Sequence, residues 1–390
     1  MFSSQAAELS LNVPSKAVDA VRADKTDSRF IVSSCALQQN QLNFLRFHSE
    51  HNELGVDAAL DHPTGPVGIV CTSPSDRLLV LTAPEQKNTA TLWRIPSDIV
   101  DRTDNLDYTP DADDGTGGAM TASGYSLEEM VTLKHGNSRL ADMTWRDSGF
   151  LLDDETSTAG EILTLDYGGR VQQWDIGDGD ARSVRSESMS MGTQLTRPRL
   201  AWDPHNIHAI SVTVGTAVHV LDWRVDTSVP SGTVTSIKAH RYGITDIDYN
   251  PNKPYVLATG GQDGMVKFWD MRSAKLPLLV ARGGHNHYVC NVKYNPFHDQ
   301  LVVSTGTDSI VNLWRVSTIS SAPLLTLDED NPEKSETSAL NVRVSRYEHT
   351  DSVYGMTWSA ADAWVYVTVS YDGKVVLNHV PSKEKYKILL

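Results

Sequence analysis

Cysteine is scarce in this chain: Cys35, Cys71 and Cys290 are the only three in 390 residues. Three widely separated thiols leave one unpaired in any disulfide scheme, which points to a reduced compartment and away from a disulfide framework. Long apolar runs are also missing. No stretch approaches the roughly 20 residues a membrane-spanning helix needs, and the opening MFSSQAAELSLNVPSK has no basic segment followed by an apolar core, as a secretory signal would. A soluble intracellular protein without direct membrane insertion is expected. Basic residues are in deficit as well, 34 Lys and Arg against 49 Asp and Glu, for a formal net charge of −15. Nucleic-acid binding depends on clustered cations that release phosphate counterions, so this balance disfavours it.

Catalytic motifs are absent too. The sequence has no nucleophile elbow, no His-Glu-x-x-His and no lysine following a glycine-rich turn, so an enzyme is not expected. GGHNHYVC brings His285, His287 and Cys290 close in sequence, but a fourth ligand at zinc spacing is lacking. DADDGTGG (111–118) imitates a calcium loop yet has Gly115 at the fifth position and no glutamate at the twelfth. Neither a metal nor a cofactor is expected.

What is present is a repeat. TGGQDGMVKFWD (259–270) could be read as a phosphate-cradling loop, but such a loop should occur about once per domain, and this one recurs. AHRYGITDIDYNPNKPYVLATGGQDGMVKFWD (239–270) aligns without a gap on residues 284–315 at an offset of 45, matching His240 with His285, Thr259 with Ser304, Asp263 with Asp308 and Trp269 with Trp314. Residues 348–379 form a third copy at an offset of 64, keeping His349, Thr368 and Asp372 but carrying Asn378 in place of the tryptophan. Weaker copies upstream end in Trp93, Trp174 and Trp223, and FIVSSCALQQNQLNFLRF before them makes seven. Each copy alternates apolar and polar residues in short runs broken by Asn-Pro, Gly-Gly and Asp-Gly, the pattern of four strands per repeat. The fold class expected is all-β: one seven-bladed propeller over 1–390, with four-stranded antiparallel blades near 8–60, 62–134, 135–190, 197–238, 239–283, 284–326 and 346–390.

These residues resemble the WD-repeat β-propellers. The resemblance implies a hydrogen-bonded set within a blade: His240, Thr259, Asp263 and Trp269 in the fifth, His285, Ser304, Asp308 and Trp314 in the sixth, and His349, Thr368 and Asp372 in the seventh. GGQDG is then the turn between a blade's second and third strands, with Gly264 easing the backbone. Acidic loop inserts are expected at 101–126 and 327–345. Residues 101–130 and 328–338 within and around them carry eleven of the fifteen net negative charges, leaving a nearly neutral body. KYKILL (385–390) is expected as the outermost strand of the seventh blade, while ELSLNV (8–13) either opens the first blade or pairs with the last.

In a ring of this kind the residues just after the structural histidines project towards a partner. Arg139, Arg197, Tyr242, Thr245, His287, Tyr288, Cys290, Ser352 and Tyr354 are the candidate partner-binding face, since Tyr and Arg combine apolar area with a polar handle. YNPNKPYVLATGGQDGMVKFWDMR (249–272), HDQLVVSTGTDS (298–309), ISSAPL (319–324), residues 348–378 and the terminal KYKILL are similar to the family of EARP- and GARP-interacting WD-repeat proteins. That resemblance implies a scaffold, monomeric by itself, that binds multisubunit tethering complexes in endosomal recycling and retrograde transport to the trans-Golgi network. It implies a cytoplasmic protein, held at those membranes through its partners. The alternative is a substrate receptor of a cullin-type ubiquitin ligase, to which the WDMR tetrapeptide (269–272) lends partial support.

Overall fold

The computed structural model describes residues 6–102, 126–146, 161–176, 180–191, 196–222, 233–273, 275–323 and 341–389. Most of both expected acidic inserts, all of DADDGTGG, and Trp223 lie outside the described residues. The chain opens with a short strand, β1 (Ala7–Ser10), and then lays down six complete four-stranded sheets. Blade 1 is β2 (Ser15–Ala20), β3 (Arg29–Ser34), β4 (Gln41–His48) and β5 (Glu53–Asp61); blade 2 is β6 (Val67–Thr72), β7 (Leu79–Pro84), β8 (Thr89–Arg94) and β9 (Glu128–Lys134). A six-residue helix, α1 (Ser97–Arg102), follows β8. Blade 3 is β10 (Leu140–Trp145), β11 (Ile162–Asp166), β12 (Arg170–Ile176) and β13 (Ala181–Ser188); blade 4 is β14 (Leu200–Trp202), β15 (Ala209–Val214), β16 (Ala217–Asp222) and β17 (Thr233–Lys238). Blade 5 is β18 (Ile244–Tyr249), β19 (Val256–Gly261), β20 (Val266–Asp270) and β21 (Leu279–Ala281); blade 6 is β22 (Val289–Tyr294), β23 (Leu301–Gly306), β24 (Ile310–Val316) and β25 (Asn341–Glu348).

The seventh sheet joins the two ends of the chain. Its inner three strands are β26 (Val353–Trp358), β27 (Val365–Ser370) and β28 (Lys374–His379), and its outer strand is β1, antiparallel to β28 with Ala7 opposite Leu377 and Leu9 opposite Val375. ELSLNV therefore pairs with the last blade. KYKILL is not a strand, as expected, but most of a helix, α2 (Ser382–Leu389). Pro381 interrupts strand pairing, the outer position is already filled by β1, and the helix lets Glu384 form a buried ion pair with Arg315 of blade 6 while Lys387 bonds back to Glu384 at 3.1 Å. A second correction concerns the insert placed at 327–345. Residues from Asn341 onward are β25, in register with β24 (Val311 opposite Tyr347), so the insertion falls within blade 6 and not between blades 6 and 7.

Among the described residues the core is divided between blades. The buried apolar side chains form seven clusters, each a slab between two neighbouring blades. This arrangement explains why β3, β19, β23 and β27 are buried along their whole length: a second strand has a blade against each face and reads as a continuous apolar run with small polar residues. The slab between blades 7 and 1 includes Ala7 of β1 beside Val375 and Leu377, with Leu9 packed against it. Glu8 adds a 2.7 Å ion pair with Lys374 and accepts the Tyr347 hydroxyl.

Deleting residues 1–11 removes β1 and should cost about 2–4 kcal/mol of stability, the worth of burying a leucine and an alanine plus four residues of strand pairing. Chemical denaturation of the truncated chain measures it, and an unchanged midpoint would mean that blades 7 and 1 hold the ring closed without β1.

Candidate docking face

Each strut begins with a histidine in the loop that leads into an inner strand. In blade 5, His240 Nδ1 donates to Asp263 (2.8 Å), Nε2 accepts the Thr259 hydroxyl (2.8 Å), and Thr259 Oγ1 in turn accepts the Trp269 indole N–H (3.0 Å). Burial opposes the charge on Asp263, but His240, Lys267 and the Met265 amide outweigh it and hold the carboxyl down at about 2. Blade 6 repeats the arrangement with His285–Asp308 (3.0 Å), His285–Ser304 (2.8 Å) and Trp314–Ser304 (2.8 Å). His285 thus has both ring nitrogens engaged inside the blade. In blade 7, His349 reaches Thr368 (2.9 Å) but meets Asp372 only through the Ser370 hydroxyl, at 3.0 and 2.5 Å.

One further complete strut and one partial one, which lacks the histidine-to-hydroxyl bond, were not legible in the gapless alignment. Blade 2 has His62 on Thr82 (2.9 Å) with the Trp93 indole on the same hydroxyl (2.9 Å), and Thr64 stands where an aspartate would (3.2 Å). Blade 3 pairs His135 with Asp166 (3.2 Å) and Trp174 with Thr164 (2.8 Å). The histidine-to-hydroxyl separation is 19 residues in blades 5 to 7, 20 in blade 2 and 29 in blade 3, so a search allowing gaps at that point would have found both.

GGQDG is a turn for steric reasons. A Cβ on Gly261 would stand 2.2 Å from the His240 ring, and Gly264 has φ +71° with carbonyls of His285 and His287 at 3.0 and 3.1 Å from the Cβ position. The motif is therefore shaped by the strut and by the next blade.

Around the ring axis runs a channel of about 1130 Å3 lined by inner strands. Its wall is charged. Arg22 forks onto Asp19 (3.2 and 3.0 Å), Arg199 lies between Asp142 (3.6 Å) and Asp246 (3.5 Å), and Lys293 reaches Asp246 (3.5 Å) and Asp248 (3.8 Å). Burial pushes Asp248 up to about 6, and although burial also disfavours its charge, Lys293 is held above its usual value by Asp246 and Asp248. The carboxylates also stitch blades together by accepting a neighbour's inner-strand amide: Asp19 from Thr72 (2.9 Å), Asp142 from Leu200 (2.9 Å) and Asp246 from Val292 (3.0 Å). Sequence reading missed this network. Asp142, Arg199 and Asp246 occupy one equivalent position in blades 3, 4 and 5, a charge alternation visible once the repeats are stacked.

Six of the nine candidate face residues precede inner strands, and Thr245, Cys290 and Tyr354 are the second residues of β18, β22 and β26, all on the strut end of the blades. Arg197, Thr245, Tyr288, Cys290 and Tyr354 line the channel; Arg139, Tyr242, His287 and Ser352 stand outside its lining. Tyr242, Tyr288 and Tyr354 are 50%, 42% and 38% exposed. Several are braced: Arg139 lies 4.0 Å over the Tyr167 ring, His287 stacks on Tyr288 at 4.3 Å, Ser352 donates to the Thr307 carbonyl (3.0 Å), and Tyr354 meets Tyr371 edge-on at 6.1 Å with Lys16 nearby. Burial pushes the Cys290 thiol up to about 12, so it is a neutral wall residue. The result is a firm, aromatic and mixed-charge rim.

Seven four-stranded blades around an open channel, with complete His–Ser/Thr–Trp struts in blades 2, 5 and 6, define a WD-repeat β-propeller. Comparison with known proteins agrees: the WD domain, G-beta repeat family matches residues 341–377, and the EIPR1 beta-propeller family matches residues 170–314. The chain is 31% identical over 401 residues to EARP and GARP complex-interacting protein 1 of Macaca fascicularis and 30% identical over 400 residues to that of Homo sapiens, with 97% of each chain covered. The EARP-interacting protein homolog of Gekko japonicus is likewise 30% identical over 400 residues. This chain belongs to the family of EARP- and GARP-complex-interacting WD-repeat proteins.

Replacing Asp263 with alanine should lower stability by about 1–3 kcal/mol, because His240 and the Met265 amide lose their acceptor; an unchanged melt would show that the strut does not bear on stability. A pH dependence also follows. Burial holds His62 and His349 at about 4, below the roughly 6.5 of a free imidazole, so the unfolded chain takes up their protons first. Their contribution is complete above about pH 6.5 and is lost as pH falls towards 4, on the order of 3 kcal/mol each. That of Asp263 disappears only lower, as pH drops from about 4 towards 2. Denaturation at pH 7 and pH 4.5 should show the loss, and His62→Asn should flatten it.

Proposed function

We propose that this chain is a non-enzymatic adaptor that binds EARP- and GARP-type vesicle-tethering complexes and supports endosomal recycling and retrograde traffic to the trans-Golgi network. The observation that carries the reading is end-to-end similarity, over 97% of both chains, to proteins named for their interaction with those complexes. The protein acts peripherally in the cytoplasm, reaching endosomal or Golgi membranes through its partners. Among the described residues no helix is long and apolar enough to cross a membrane.

The docking surface of this reading is the strut end of the ring, with Arg139, Arg197, Tyr242, Thr245, His287, Tyr288, Cys290, Ser352 and Tyr354. Its support is physical: inner-strand starts are fixed by the struts, so exposed tyrosines there lose little freedom when a partner arrives. The ubiquitin-ligase alternative gains nothing from the fold. Arg272 of WDMR forks onto Asp270 (2.9 and 2.7 Å) and lies 5.1 Å over Tyr255, which accounts for the motif within its own turn.

Affinity capture on the purified chain should recover shared subunits of the tethering complexes from cell lysate. Arg139→Glu and Tyr354→Ala should each weaken capture several-fold without lowering the melting temperature. Recovery of cullin-ligase adaptors in place of tethering subunits would replace this reading with the alternative.

A further inference from the structure

The chain is acidic overall, yet the channel wall carries seven Lys and Arg side chains against six Asp and Glu. Most of these cations are matched. Arg22, Arg199 and Lys293 have the carboxylate partners described above, Lys16 pairs with Glu85 at 2.7 Å, and Arg146 with Glu161 at 2.9 Å. Lys25 is exposed to solvent. Arg197 is the exception: partly buried at the start of blade 4, it donates Nε to the Ala141 carbonyl, and among the described residues no carboxylate pairs with it. Burial first and then the neighbouring Arg199 charge work against its own charge, and the more distant attraction of Asp142 and Glu85 offsets them only in part. Thr245 of blade 5 lines the same wall beside blade 4. The two blades touch at this end, since the Thr245 carbonyl accepts Arg199 Nε at 2.9 Å.

We propose that the channel mouth is a socket for an acidic peptide segment of a protein partner, whose Asp or Glu side chain enters beside Arg197 and pairs with its guanidinium. The inference rests on the adaptor reading and names the chemistry of its contact. The incoming carboxylate accepts from Arg197, the partly buried channel cation that no carboxylate pairs, while Tyr288 and Tyr354 line the same channel from blades 6 and 7. The remaining wall selects the occupant. Asp19, Asp142 and Asp246 would repel a polyphosphate or a nucleic-acid backbone, whereas one carboxylate on an otherwise uncharged stretch meets a single matched cation.

The test uses the full chain with p-benzoylphenylalanine in place of Tyr288, crosslinked to the tethering complex captured from lysate. The crosslinked segment, identified by mass spectrometry, is then made as a synthetic peptide in two forms, with its Asp and Glu intact or changed to Asn and Gln. The acidic form should bind the wild-type chain at least about tenfold tighter than the amide form, and Arg197→Gln should abolish that difference. Arg197→Lys, which keeps the charge but loses the fork, should reduce it and serves if Arg197→Gln melts early. A crosslinked segment without Asp or Glu overturns the socket, as does equal binding of the two peptides or crosslinking absent at Tyr288 while capture persists. In those cases the adaptor reading still stands; failure of the wild-type chain to capture any tethering subunit removes both.

Discussion

A buried hydroxyl shared between an imidazole and an indole is the interaction on which the rest of this structure depends. Thr259 gives its proton to His240 and receives one from Trp269, so one small side chain ties the loop before the inner strand to the second and third strands of its blade. The aspartate beyond the histidine extends the tie to the tight turn on the same end. The blades vary its execution without changing its position: Ser304 replaces threonine in blade 6, Ser370 relays to Asp372 in blade 7, and Thr64 takes the outer place in blade 2. Because buried polar groups are costly when unpaired, each complete set admits few alternative loop conformations, and the rim built on those loops is correspondingly fixed.

Ring geometry then creates an opening that apolar side chains do not fill. The slabs between blades bury most of the apolar faces, while the inner edges meet around a channel whose wall sets ionic groups among apolar side chains. The charges there serve two purposes at once. Asp142 and Asp246 bind the next blade's backbone and also hold Arg199 between them, so neighbouring blades are fastened through the groups that set the potential of the channel mouth. A partner docking at this end meets a surface whose shape and field are settled in advance, which limits the ordering cost of binding.

Much of the fold was legible in the residues. The 45-residue offset between 239–270 and 284–315 exposed the blades, and the matched His, Ser/Thr, Asp and Trp positions are the ones the structure joins. The chain ends and the diverged half were harder. KYKILL is apolar enough to read as a strand, but Pro381 and the prior claim of β1 on the edge of blade 7 make it helical. The stretch from Asn341 looked like the tail of a polar insert because outer strands face solvent on much of their surface and lose apolar alternation. His62 and His135 escaped notice because insertions set them 20 and 29 residues before Thr82 and Thr164, where blades 5 to 7 have 19.

The sequence by itself determined the repeated unit: strand lengths, the turns that end them, the slab-facing apolar residues and the strut residues within a blade. All of these act between residues less than one repeat apart, so their pattern survives in a linear reading. Tertiary structure alone decided how the ring closes, which charges meet across the channel, and that Arg197 bonds to the Ala141 carbonyl with no carboxylate paired to it among the described residues. Those outcomes depend on which blades become neighbours and on which edges remain open once every other edge is paired.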